Sequence, residues 1–127
     1  MILDNPQRIQ TYSEKGWWDD ITLDDVFKKN VAQYPDFLAL IDPINRNTFT
    51  LGEAQRFTFS QMDEKVNQLA SALLQAGIGK DDIVGLFLPN IWELVISYLA
   101  IARIGAIANP YPPSLREYEI AKMGGFT

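Results

Sequence analysis

DIVGLFLPNIWELVISYLAIARIGAIANPY, residues 82–111, decides how this chain folds. Its first part, IVGLFLP (83–89), is a continuous apolar run of strand length, the pattern of a parallel strand covered on both faces. Pro89 and Asn90 break the run, and IWELVISYLAIARIG (91–105) then reads as a helix that is apolar nearly all round. Such a helix has to be covered on most sides, and Gly105 is placed to end it. AIANPY (106–111) follows at once as a second strand. Strand, helix and strand in that order form a βαβ unit with a right-handed crossover. The expected fold class is therefore α/β, with a partial parallel sheet flanked by helices.

Working outward, a helix-start pattern occurs four times: Thr22 with Asp25, Ser60 with Asp63, Asn90 with Glu93, and Ser114 with Glu117. Each places a capping side chain three residues before an acid. The cap accepts from an orphan backbone N–H, and the acid reaches back while favouring the positive end of the helix dipole. The spacing predicts a first helix with Leu23, Val26, Phe27, Val31 and Tyr34 on one face, Ile21 stapled onto Val26, and Pro35 as its stop. A second helix is predicted from Ser60 to about Ala76, with Met62, Val66, Leu69, Leu73 and Ala76 inward. Gly77 suits the left-handed position after it, and Ile78 closes a Schellman contact onto Leu73. A short amphipathic helix is expected in LREYEIAKMGG (115–125).

Upstream strands are expected in FLALID (37–42) and RFTFS (56–60), which have β-favouring composition. NTFTLGEA (47–54) and RFTFSQMD (56–63) are near copies nine residues apart. With FLALID they predict a small antiparallel β element, and the later copy leads into the second helix because Ser60 opens a sustained helical period. Residues 1–21 read as an irregular lead-in in which one or both indoles of GWWDD (16–20) act as anchors.

The composition narrows the chemistry. The 127 residues are enough for one domain that buries roughly two-thirds of its unfolded surface. With 47% hydrophobic and 21% charged residues, the chain has globular rather than disordered composition. A net charge of −5, with Lys28-Lys29 as the one pair of adjacent cations, argues against nucleic acid and anionic membranes as partners. There is no cysteine, which removes disulfides and thiolate zinc sites and points to a reducing cytoplasm. There is no histidine, so the usual general base, the commonest metal ligand and the Ser-His pair are all missing. The start has no cationic segment followed by an apolar core, and LVISYLAIA (94–102) falls far short of the ~20 residues of a membrane span. A soluble cytoplasmic protein is expected.

The turns offer no phosphate cradle. The turn after IVGLFL has no glycine to let backbone approach a phosphate. AGIGKDD (76–82) follows a helix and precedes a strand, the reverse of P-loop order, so Gly77 and Gly79 read as cap and turn. In IGAIANPYPPSLRE (104–117) the prolines remove N–H donors where an anion would want them; Gly105 reads as a helix stop, with Pro112 and Pro113 leading to Ser114 as a cap. The acid pairs Asp19-Asp20, Asp24-Asp25 and Asp81-Asp82 read as solvated or dipole-pairing rather than catalytic. Trp17, Trp18, Trp92 and Tyr98 read as packing or anchoring aromatics, and Lys80 and Arg103 as partners of helix C-termini. No residue is assigned a catalytic, cofactor-binding or metal-binding role.

The order of elements carries a resemblance. TLDDVFKKNVAQYPDFLALID (22–42), followed by the run from RFTFSQMD to NPYPP (56–113), resembles the N-terminal part of the adenylate-forming enzymes: acyl- and aryl-CoA synthetases, adenylation domains and luciferases. Phe57-Thr58-Phe59-Ser60-Gln61-Met62 is similar to that superfamily's first core motif, leucine-threonine-tyrosine-any-glutamate-leucine. Arg103-Ile104-Gly105-Ala106-Ile107-Ala108-Asn109-Pro110 is similar to its second, lysine-alanine-glycine-any-alanine-tyrosine-any-proline. KDDIVGLFLPNIWE (80–93) between them resembles family text, and TYSEKGWWDDITLDD (11–25) is similar to the starts of aryl- and cyclic-acid ligases. Gln61 replaces the first motif's acid, Pro112 stands where aspartate is frequent, and NTFTLGEA is similar to an insertion.

The resemblance implies that residues 22–127 are the N-terminal part of an AMP-binding domain, ending before the phosphate loop. The enzyme it implies is an ATP-dependent, AMP-forming carboxylic acid–CoA ligase, with ATP, Mg and coenzyme A as full-length cofactors and none expected in this piece. Its phosphate loop, ribose-holding acid, acid pocket and mobile C-terminal domain would lie downstream of Gly124-Gly125-Phe126-Thr127, where the next parallel strand is due. The piece is expected to be an inactive scaffold whose partner is the remainder of its own adenylation domain. The alternative is a self-standing interaction or oligomerisation module, associating through an exposed sheet edge.

Overall fold

The computed structural model describes residues 4–125. In chain order it holds α1 (Pro6–Glu14), α2 (Leu23–Gln33), β1 (Leu38–Ile41), a single 3-10 turn (Arg46–Thr48), β2 (Arg56–Thr58), α3 (Phe59–Gln75), β3 (Ile83–Leu86), α4 (Trp92–Arg103), β4 (Ile107–Pro110) and α5 (Glu117–Gly124). The fold is mixed α/β, as expected. β3 and β4 run parallel, with Ile83 opposite Ile107 and Leu86 opposite Pro110. β1 and β2 pair antiparallel, with an irregularity between Leu38 and Leu40.

The core lies among α2, α3 and α4, where Phe27, Met62, Val66, Ala70, Ile96, Leu99 and Ala100 are buried together. Removing this apolar surface from water is the main force holding the three helices. β1 and β2 rest on α3, and β3 and β4 rest on α4. Each sheet is thus attached to the helical layer through the helix it feeds or frames.

Two helix ends close as the glycines predict. After α3, Gly77 has φ of 86° and the Ile78 amide donates to the Leu73 carbonyl at 3.0 Å. After α4, Gly105 has φ of 73° and the Ala106 amide donates to the Ile101 carbonyl at 3.0 Å. Both are Schellman closures, which satisfy carbonyls the helix leaves open.

Several expectations are corrected. The cap of α3 lies two residues earlier than expected. Thr58 is its cap, with the Gln61 amide donating to Thr58 Oγ1 at 3.3 Å and Gln61 Oε1 accepting from the Thr58 amide at 2.9 Å. The motif position held by Gln61 therefore completes a capping box, a role a neutral amide fills as well as an acid does. Neither Asn90 nor Ser114 caps a helix: Ile91 and Arg116 occupy the cap positions. The inward face of α2 is turned by one residue, so Asp24 and Phe27 are buried while Leu23 and Val26 are exposed. NTFTLGEA forms a 3-10 turn and bends instead of a strand.

The lead-in, expected to be irregular, contains α1. Asn5 caps it by accepting from the Gln7 amide at 2.9 Å, and Pro6 at the first position has its φ preset for a helix. Trp17 and Trp18 pack on Tyr12 of the same segment, with ring centroids 5.4 and 5.1 Å away. Their indoles fold the lead-in onto itself. Phe126 and Thr127, where the next strand is due, lie outside the described residues.

Candidate functional site

In open α/β sheets, ligands seat beyond the carboxyl ends of the parallel strands, beside the N-terminus of the helix that follows. Here that position lies after β3, at the start of α4. It is already taken. Asp42, just after β1, sends Oδ1 to the Trp92 amide at 2.8 Å, and its side chain is fully buried. Asp42 Oδ2 accepts from the Gln55 amide at 3.2 Å and from Arg46 at 2.7 Å. A carboxylate of the chain thus sits where an exogenous anion would engage the helix dipole.

Burial alone would push the Asp42 pKa up, but the Arg46 guanidinium and the Trp92 and Gln55 amides outweigh it and hold the carboxyl below its ordinary value. Arg46 is itself buried and spends its guanidinium on three partners. It donates to Asp42, to both oxygens of Glu93, and through Nε to the Leu51 carbonyl at 3.1 Å. Hydrogen bonds to Glu93 and Asp42 raise its pKa further above the ordinary guanidinium value.

Beside this cluster runs an open cleft of about 370 Å3 between α3 and α4, lined by Lys65, Leu69, Trp92, Glu93 and Ile96. A second hollow of about 320 Å3 shares Lys65, Trp92 and Glu93 and adds Arg46, Gly52 and Gln55. Trp92 packs on Phe57 with ring centroids 5.1 Å apart, so this indole is an anchor between β2 and α4.

A second charged cluster ties the three core helices together. Arg103, at the end of α4, donates to Asp24 of α2 at 2.8 Å, to Asp63 of α3 at 2.8 Å and to Asn67 of α3 at 2.6 Å. Lys28 adds a second cation to Asp24 at 2.7 Å. Burial raises the Asp24 pKa, and the hydrogen bonds from Lys28 and Arg103 more than reverse that, leaving it lowered. Asp24, read as solvated or dipole-pairing, is buried in the first turn of α2, so only its solvation is corrected; Arg103 stands in the last turn of α4 as expected and adds an ion pair with Asp24 to its place there. Asp25 completes the α2 capping box with Thr22. Asp82 accepts from the Gly79 amide at 2.7 Å in the turn before β3, and Lys80 lies against Gly105.

The motif residues fall at junctions between elements. The first motif is the β2-to-α3 step, with Met62 buried. The second is the end of α4, its glycine stop and β4. In β3, Gly85 has a structural reason: a Cβ there would meet the Tyr111 ring at 3.2 Å. Ile83 and Ile107, paired on one face of the parallel sheet, are 41% and 38% exposed. Parallel strands ordinarily have both faces covered. Here one face, with α4 on the other, is largely open to solvent.

Among the described residues no group of three or more acidic, His or Cys side chains could hold a metal ion, and no helix is long and apolar enough to cross a membrane. Asp42 and Arg46 were not singled out from the sequence. The available signal was the four-residue spacing between them, but nothing local announces that Glu93 and Trp92 close the cluster.

The profile of the AMP-binding enzyme family matches residues 27–124. The chain belongs to that family. The medium-chain fatty-acid–CoA ligase of Escherichia coli K12 is 32% identical over 116 residues, which is 91% of this chain but 19% of the ligase. Among solved structures, the N-terminal subdomain of Klebsiella oxytoca NpsA in complex with anthranilyl-AMSN aligns with TM-score 0.70 and 26% identity, covering 82% of this chain and 24% of that one. A Mycobacterium tuberculosis fatty acyl CoA synthetase aligns with TM-score 0.70 and 25% identity, covering 80% and 19%. The chain therefore spans about a fifth to a quarter of the length of these relatives.

Proposed function

We propose that this chain is the scaffold portion of an ATP-dependent, AMP-forming carboxylic acid–CoA ligase, with residues 22–127 belonging to the AMP-binding domain behind a lead-in of 1–21. The complete enzyme would join a carboxylate to AMP with release of pyrophosphate, then pass the acyl group to coenzyme A in the cytoplasm. Within it, these residues supply layered support and part of the sheet. The ligase part of this reading rests on the family match over residues 27–124, and the scaffold part on the occupied helix start, where the Trp92 amide is held by Asp42 of the same chain. The residues present do not fit a nucleotide with its magnesium ion, because the βα turn at Pro89-Asn90 has no glycine, Arg46 already holds the nearby Asp42 and Glu93 carboxylates, and among the described residues no group of three or more acidic, His or Cys side chains could hold a metal ion.

Incubated with ATP, magnesium and a panel of carboxylic acids, the 127-residue chain is expected to release no pyrophosphate above blank. Turnover by the purified chain would overturn the scaffold reading.

The exposed Ile83–Ile107 face favours a second reading, in which copies of the chain pair through it. On that reading light scattering at tens of micromolar shows dimer, whereas monomer alone removes it and leaves the rest of the domain as the face's partner.

A further inference from the structure

The segment 43–55, between β1 and β2, is held in an unusual way. Of its large apolar residues, Ile44 is 96% exposed, Leu51 89% and Phe49 47%, so hydrophobic burial does little to fix it. The one buried side chain in the segment is Arg46. Its guanidinium reaches inward to Asp42 and Glu93, and its Nε reaches across the segment to the Leu51 carbonyl. Local backbone bonds then follow from that anchor: the Thr48 amide donates to Asn45, and the Phe49 and Thr50 amides both donate to the Arg46 carbonyl. Gly52 and Gln55 of the same segment form one wall of the hollow shared with Lys65, Trp92 and Glu93.

We propose that residues 43–55 form a flap latched by Arg46, which opens as one unit and takes with it one wall of the hollow beside Trp92. The physical basis is the difference in what holds each part. α3 and α4 are joined by buried apolar side chains, while the flap depends on the Arg46 side chain together with the Gln55–Asp42 bonds at its base. Segments with few buried apolar contacts open at lower free energy than the core around them, and they do so cooperatively. Lysine cannot replace this arginine, because a point charge cannot serve Asp42, both Glu93 oxygens and the Leu51 carbonyl together.

Native-state hydrogen exchange on the whole chain tests the flap in two samples. In the unaltered protein, the amides of Thr48, Phe49, Thr50 and Gln55 are expected to share one opening, exchanging at least about tenfold faster than the core amides of α3 and α4. In Arg46→Lys, the four flap amides are expected to lose a further tenfold or so of protection while the core amides change by less than about twofold. Flap amides as protected as the core in the unaltered protein would overturn the proposal. So would an Arg46→Lys protein in which flap and core lose protection together, since Arg46 would then be part of the core and not a latch.

Discussion

Asp42→Ala is expected to destabilise the chain by about 3–5 kcal/mol, the usual cost of removing one partner from a buried ion pair. The change leaves the Arg46 guanidinium without its most buried acceptor and the first turn of α4 without its cap, since the Trp92 and Gln55 amides lose their acceptor at the same time. Denaturant unfolding followed by tryptophan fluorescence measures the loss. Asp42→Asn keeps an oxygen that can accept from the Trp92 amide, so it should recover part of the difference. A loss below about 1 kcal/mol for the alanine variant would mean that the cluster is solvated in solution.

The sign of the pH dependence follows from the lowered folded pKa of Asp42. Unfolded aspartate titrates near 3.9, so the ionised cluster contributes fully above that value. Its contribution fades as pH falls toward and through the folded pKa. The stability gap between the unaltered chain and Asp42→Asn should therefore be constant near neutrality and shrink below about pH 4.

Arg103→Met is expected to cost about 3 kcal/mol, the low end for a broken buried pair, because Lys28 still reaches Asp24. Methionine preserves much of the stem that packs near the Phe27 ring, where the guanidinium carbon lies 5.9 Å from the centroid. What it removes is the fork that joins α2 to α3 from the end of α4. Arg103→Lys should restore less than half of the loss, since one ammonium cannot serve Asp24, Asp63 and Asn67 in their separate directions. Unfolding midpoints of the two variants read this directly. Full recovery by lysine would show that charge alone, without the fork geometry, holds the helices.

Local chemistry made much of the fold legible. Gly77 and Gly105 sit where only the left-handed conformation closes the helix, and a glycine at such a place is visible in the sequence. The apolar run at 83–89 and the stop at Gly105 fixed the parallel pair, because both are sequential patterns. Three of the misreadings share one cause. A capping side chain was sought next to each helix, yet α4 takes its cap from Asp42, fifty positions earlier. Asp24 was read from its place in a first helical turn, where acids are ordinarily solvated, but Arg103 reaches it from α4 and draws it inward. The 47–54 stretch resembles a strand in composition, and Arg46 curls the backbone before it can pair. Tertiary partners decided each of these, and no window of a dozen residues contains them.

The distant capping of α4 also bears on the order in which the chain can assemble. Most helices complete their first turn from residues beside it, on the timescale of local motion. This one waits for a closure across fifty residues, and such non-local closures are slow because loop entropy is lost before the contact forms. The opening of α4 is thus tied to the arrival of β1 and not to its own helical propensity.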